Sequence, residues 1–107
     1  MLGRLFESLV TQSVRVYAQA AEAEVRHLRT KGGRHEIDLI IERPDHRVLA
    51  IEVKLLKRVT DDDVRQLAWL RESVGKDLLD AIVITTGENA YRRSDGIAVV
   101  PAALLGP

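Results

Sequence analysis

A mixed α/β sandwich, ordered helix, three-strand meander, helix, strand and short strand, is the fold class this 107-residue sequence predicts. Three observations carry the prediction. Apolar residues recur at three- and four-residue steps near the start and again in the middle of the chain, the period of helices with one buried stripe. Between those segments lie three strand-length runs, separated by turn-forming clusters at Lys31–Arg34 and Arg43–His46. A continuous apolar run from Leu78 to Thr85 then has no polar alternation, as in strands that are central or covered on both faces.

The first helix is expected from about Gly3 to Ala21, with Leu2, Leu5, Phe6, Leu9, Val10, Val14 and Tyr17 on one face and Glu7 at its edge. A short strand, Glu24 to Arg29, leads through Lys31-Gly32-Gly33-Arg34 into a hairpin. The second strand, Glu36 to Glu42, places Ile37, Leu39 and Ile41 on one face and Glu36, Asp38 and Ile40 on the other, because side chains alternate along a strand. Pro44 presets its own φ in the next turn. The third strand, Arg47 to Leu56, sets Leu49, Ile51, Val53 and Leu55 opposite Val48, Ala50, Glu52 and Lys54.

Thr60 is the expected N-cap of the second helix, with Asp63 as the carboxylate of a capping box and Val59 and Val64 as a hydrophobic staple. Asp61 to Asp63 complement the positive end of the helix dipole. Val64, Leu67, Ala68, Leu70 and Val74 form its buried stripe, and Gly75 is placed to end it. After the strand Leu78 to Thr85, a loop from Gly87 to Gly96 precedes a short strand, Ile97 to Val100, and a final turn opened by Pro101.

One domain is expected, since the length allows one core and no second. Lys+Arg and Asp+Glu both number 16, so overall charge gives no argument for nucleic-acid or membrane binding. No cysteine is present, which excludes disulfides and thiolate metal sites and fits a cytoplasmic location. The first residues lack a signal-peptide pattern, and no apolar run reaches membrane-spanning length.

The chemistry concentrates in Glu52-Val53-Lys54 and in Asp38, fourteen residues before Glu52. Glu52 and Lys54 share a strand face, and a charge there is costly to bury unpaired. If the second and third strands are neighbours, Asp38 and Glu52 stand together, with Lys54 a step along and Glu7 reaching in from the first helix. Two carboxylates about 4 Å apart repel by roughly 4 kcal/mol at an effective dielectric near 20. Magnesium offsets that repulsion with hard oxygen ligands while keeping waters for substrate. Phosphodiester hydrolysis uses such an ion to stabilise developing charge and generate hydroxide, with a lysine to hold the water or neutralise the phosphate.

Asp38, Glu52 and Lys54, in this order of elements, resemble the PD-(D/E)xK restriction-endonuclease-like superfamily, with Ile37 in place of the proline. A narrower resemblance covers nearly the whole chain. Gly3-Arg4-Leu5-Phe6-Glu7, Gly33 to Ile40, Ile51 to Lys54, Thr85 to Glu88 and Val99 to Leu104 look like the C-terminal domain of predicted prokaryotic AAA-type ATPases. The resemblance implies a restriction-endonuclease-like core, a central mixed sheet flanked by helices in the order α-β-β-β-α-β-β, spanning residues 1–107. It implies that Asp38 and Glu52, with the Val53 carbonyl, hold magnesium or manganese, that Lys54 assists the nucleophilic water, and that Glu7 is an auxiliary acid. The implied activity is metal-dependent hydrolysis of DNA, and because no Gly-rich phosphate loop followed by Lys-Ser/Thr is present, any ATPase part is missing here. The implied alternative is a catalytically silent module that binds nucleic acid or a partner for an AAA-type ATPase, of which this chain is a fragment or a free-standing relative. A homodimer follows by analogy with nucleases that cut two strands.

Other residues keep two readings. Glu36 is a further acid or a solvated strand-end charge, and Gln66 either projects toward the acids or is exposed. Trp69 reads as packing or partner contact, and His27, His35 and His46 as surface residues. Arg26, Arg29, Lys31, Arg34, Lys57, Arg58, Arg92 and Arg93 either line a phosphate groove or are solvated charge.

Overall fold

The computed structural model describes residues 22–105 together with Arg15, Ala18 and Gln19. Those three early positions are helical and Ala18 is buried; the rest of the helix expected over residues 3–21, Glu7 included, lies outside the described residues. The described elements are strands β1 (Glu24–Arg29), β2 (Glu36–Glu42) and β3 (Val48–Lys54), helix α1 (Arg65–Val74), and strands β4 (Leu78–Thr85), β5 (Tyr91–Arg92) and β6 (Ala98–Pro101). They form an α/β fold on one mixed six-stranded sheet, in the order β1-β2-β3-β4-β6-β5.

The turns decide the strand directions. Short connections leave β1, β2 and β3 antiparallel, whereas the crossover through α1 makes β4 parallel to β3. β6 is also parallel to β4, and β5 closes the edge antiparallel to β6. β5 corrects the expectation of a plain loop from Gly87 to Gly96. Its two residues carry no apolar pattern and are strand only because β6 supplies the ladder. The third strand also stops at Lys54 rather than running to Leu56, where the chain turns and the Leu56 N–H donates to the Lys54 carbonyl at 2.8 Å.

α1 starts later than its capping signals imply. Asp62–Val64 form a 3-10 turn, and the regular helix begins at Arg65. The Asp63 carboxylate accepts both the Thr60 N–H (2.8 Å) and the Thr60 hydroxyl (2.9 Å). The acidic half of the capping box therefore forms, while the hydroxyl turns to the acid instead of capping the helix. Val59 and Val64 are both buried, as the staple requires, and Gly75 ends the helix at a φ of 56°.

Two apolar layers lie on the two faces of the sheet. Under α1, Leu67 and Leu70 meet Ala50, Ala81, Val83, Ile97 and Val99. On the opposite face Leu39, Ile51, Val53 and Ile84 cluster with Val25, Ile41, Leu49 and Ile82. β4 feeds both layers, as its unbroken apolar run predicts. Ile37 does not: it packs in the α1 layer with Ile40, not with Leu39 and Ile41. The β1–β2 pairing explains this. Arg26 pairs with Ile40 and Leu28 with Ile37, so Asp38 and Leu39 together face the single residue His27. This bulge shifts the alternation by one residue and sends Ile37 to the other face.

Leu67 is completely buried at the centre of the α1 layer. Leu67→Ala should cost about 2–5 kcal/mol, read as a lower urea midpoint with the m-value unchanged. A loss under about 1 kcal/mol would show that α1 does not close this core.

Candidate active site

The antiparallel ladder between β2 and β3 runs from Glu42↔Val48 to Leu39↔Ile51. At the next step the two acidic side chains continue the pairing. The Asp38 N–H donates to Glu52 Oε1 at 3.1 Å, and the Val53 N–H donates to Asp38 Oδ2 at 2.8 Å. Each carboxylate thus bonds an N–H of the facing strand, and the strands fork around the pair. The bulge at Asp38 and Leu39 aims Asp38 into that fork. Glu52 points to the α1 side, on the same face as Ala50, near the carboxyl end of a strand in the parallel part of the sheet.

Glu52 is only 4% exposed, an uncommon burial for a carboxylate. Burial first, and then the neighbouring Asp38 carboxylate, push its pKa from 4.5 up to about 7, against the lowering effects of the Asp38 N–H and Lys54. Lys54 Nζ lies 3.6 Å from Glu52 Oε2 and is half-buried. Its charge also helps hold the Asp63 carboxylate below its ordinary range, after the larger effect of the Thr60 N–H.

The remaining oxygens determine what the pair can hold. Among the described residues, Asp38 Oδ1 and Glu52 Oε2 accept no backbone N–H, and Glu52 Oε2 faces Lys54 Nζ instead. A residue's N–H and C=O lie on the same edge of an extended strand, so the Val53 carbonyl also faces the β2 side. These hard oxygen donors fit Mg²⁺ or Mn²⁺, which binds through one or two carboxylates and completes its shell with water and substrate. Among the described residues no group of three His, Cys, Asp or Glu is assembled for a metal. Such a site would therefore rest on Asp38, Glu52 and Val53, a donor set unsuited to a dehydrated, closed cage.

The other sequence-selected residues separate. Glu7 lies outside the described residues. Glu36 is exposed and faces His27 Nε2 at 3.2 Å, a strand-end charge that does not join Asp38 and Glu52. The Gln66 side-chain oxygen meets His35 Nδ1, in the hairpin before β2, at 2.8 Å, and among the described residues it makes no hydrogen bond with the acids. Arg92 and Arg93 are paired cations. Arg92 makes a two-pronged pair with Asp80 at 2.9 and 3.0 Å, and Arg93 joins Asp61, Asp95 and the Val59 carbonyl.

His35 is the residue whose setting the sequence reading missed. It is half-buried, and its ring stacks flat on Trp69 with centroids 3.9 Å apart and planes 4° apart. Trp69 therefore packs within the chain and seats the β1–β2 hairpin on α1. The only sequence signal was an aromatic three positions after Gln66 on the helix, too common a spacing to single out one histidine.

The fold and this geometry define an α/β domain with a forked carboxylate pair and a lysine at the end of its third strand. A family model described as "Domain of unknown function (DUF4143)" matches residues 2–105, and the chain belongs to that family. No curated protein and no solved structure matches the chain.

The Glu52 environment sets a pH dependence. Because its folded pKa is raised, the native state holds a proton that the unfolded chain releases, so this stabilisation is complete below about pH 4.5 and fades as pH rises through about 7. The loss should be on the order of 3 kcal/mol between those limits. Glu52→Gln, neutral throughout, should flatten that part of the stability curve in urea titrations from pH 4 to pH 8. An unchanged slope would mean that Glu52 is ionised at low pH in the folded protein.

Proposed function

We propose that the chain is a metal-dependent nuclease-like domain that hydrolyses phosphodiester bonds, with DNA as the substrate. The observation that carries this reading is the fork itself: two carboxylates joined through backbone N–H groups, with one oxygen of each left for a cation and Lys54 3.6 Å from Glu52. Bound magnesium or manganese would supply charge neutralisation at the phosphate and an acidified water. Asp38, Glu52 and the Val53 carbonyl would hold it. Lys54 would donate to a phosphate oxygen or orient the attacking water, and its place beside a buried carboxylate keeps its ammonium directed at the fork. The raised pKa of Glu52 adds a condition, since the residue must shed its proton before it can ligate. Glu7 would act as the auxiliary acid.

The resemblance to the C-terminal domains of AAA-type ATPases supports an ATPase module as partner and the cytoplasm as location, and a homodimer would suit cleavage of two strands. Among the described residues no helix is long and apolar enough to cross a membrane. A second reading, a catalytically silent module that binds nucleic acid or an ATPase, is favoured by one observation. The backbone N–H donors already satisfy one oxygen of each acid, so the fork stands as a structural clasp without any ion.

Calorimetric titration with Mn²⁺ and cleavage of plasmid DNA separate the two readings. The nuclease reading expects heat of binding that disappears in Asp38→Ala and strengthens from pH 6 to pH 8. It also expects cleavage reduced by at least about 100-fold in Glu52→Ala and Lys54→Ala. Absence of Mn²⁺ binding in the unmutated chain, or cleavage that survives both substitutions, would remove the fork from catalysis.

A further inference from the structure

Arg29, Lys31, Arg34, Lys57 and Arg58 are all exposed, and among the described residues none of them is in an ion pair. All five lie at the end of the sheet that holds the acids. Arg29 ends β1 opposite Glu36, two residues before Asp38, and Lys31 and Arg34 belong to the hairpin head that follows. Lys57 and Arg58 follow the end of β3, three and four residues after Lys54. Elsewhere most cations are neutralised: Arg26 by Glu24, Arg43 by Asp45, Arg92 by Asp80 and Arg93 by Asp61 and Asp95. Arg47 and Lys76 stand singly, away from this end. Among the described residues, five of the cations outside any ion pair thus lie beside the carboxylate pair, while Arg15, Arg47, Arg71 and Lys76 are dispersed elsewhere.

Both cationic segments are held in place. In the hairpin head, the Thr30 N–H donates to the His35 carbonyl at 2.9 Å and the His35 N–H donates to Thr30 Oγ1 at 3.1 Å. His35 then docks the head on α1 through Trp69 and Gln66. On the other side, the Leu56 carbonyl accepts the Thr86 N–H at 3.2 Å and the Thr86 hydroxyl at 3.1 Å. Gly87 packs so closely on the next residue that a Cβ there would lie 3.0 Å from the Lys57 carbonyl oxygen. Neighbouring strands are about 4.8 Å apart, so the two groups flank the fork on either side of β2 and β3. The three aspartates that follow Arg58 in the chain are already engaged: Asp61 with Arg93, Asp62 with Arg65, and Asp63 with Thr60.

We infer that these five side chains form a grip for the sugar–phosphate backbone of a polynucleotide, laid across the mouth of the fork. The inference rests on the phosphodiester reading of the acids, which names the polyanion. Two pre-positioned cation groups on either side of a reactive pair hold a chain of regularly spaced phosphates, and each contact releases counterions.

The test is fluorescence anisotropy of the full chain with a short labelled DNA duplex and, in parallel, its single strand, in EDTA. Lys31→Ala/Arg34→Ala and Lys57→Ala/Arg58→Ala should each weaken binding by about ten-fold or more and make the log K against log salt slope shallower by about 2 on duplex. Arg47→Ala/Lys76→Ala, with the same charge removed elsewhere, should change affinity less than about two-fold. The form showing the larger rim effect, duplex or single strand, is the one the grip fits. Equal weakening by all three pairs, or no binding by the unmutated chain, overturns the grip. Cleavage with Mn²⁺, followed separately, distinguishes the two failures: rim variants that bind normally beside an active fork refute the grip alone, whereas rim-dependent binding without cleavage refutes the nuclease alone.

Discussion

Glu52 sits almost wholly inside the sheet layer under α1, and the structure around it answers the cost of that position. A buried carboxylate requires donors, and the nearest is the Asp38 N–H, which the interrupted ladder leaves unpaired. Asp38 in turn takes the Val53 N–H. Neither backbone donor is orphaned, neither acid is left without a partner, and the two strands stay joined where their ladder stops. The bulge opposite His27 falls at Asp38 itself, where β2 gains a residue.

That clasp and a metal site are compatible uses of the same residues. The clasp uses one oxygen of each acid and leaves the other, so a cation need not dismantle the fork in order to bind. What it must displace is the proton favoured on Glu52 by burial and by the Asp38 charge. Lys54 offsets part of that repulsion from the solvent side but, being half-buried and 3.6 Å away, does not cancel it. On the proposed nuclease reading, the fork would be poised between a protonated pair and a cation-bound one. The exposed cations around it give the same end of the sheet the opposite charge to its centre, the feature on which the proposed phosphate grip rests.

Much of this was readable in the order of residues. Alternation along Val48–Lys54 gave the correct faces for Leu49, Ile51 and Val53 and for Ala50 and Glu52, and the unbroken run of β4 correctly implied burial on both faces. Glu36, Gln66 and the basic residues were undecided, because a charged side chain's role depends on what lies across from it. Arg92 and Arg93 show the point: Asp80 is 12 residues away and Asp61 is 32, and no local pattern links such pairs. Ile37 was assigned to the wrong layer because period-2 counting has no means of detecting an added residue.

The sequence by itself determined the helix and strand periods, the turns, and the presence of Asp38, Glu52 and Lys54 on consecutive strands. These are local properties, set by backbone preferences and by the spacing of apolar residues over a few positions. Only the tertiary structure decided that Asp38 and Glu52 exchange side chains for backbone donors, that β5 exists, and that His35 locks the hairpin to Trp69. Each of these depends on the register between segments distant in the chain, where one added residue changes which atoms meet. The acids were visible in the sequence; the fork that gives them a shared chemistry arises from that register.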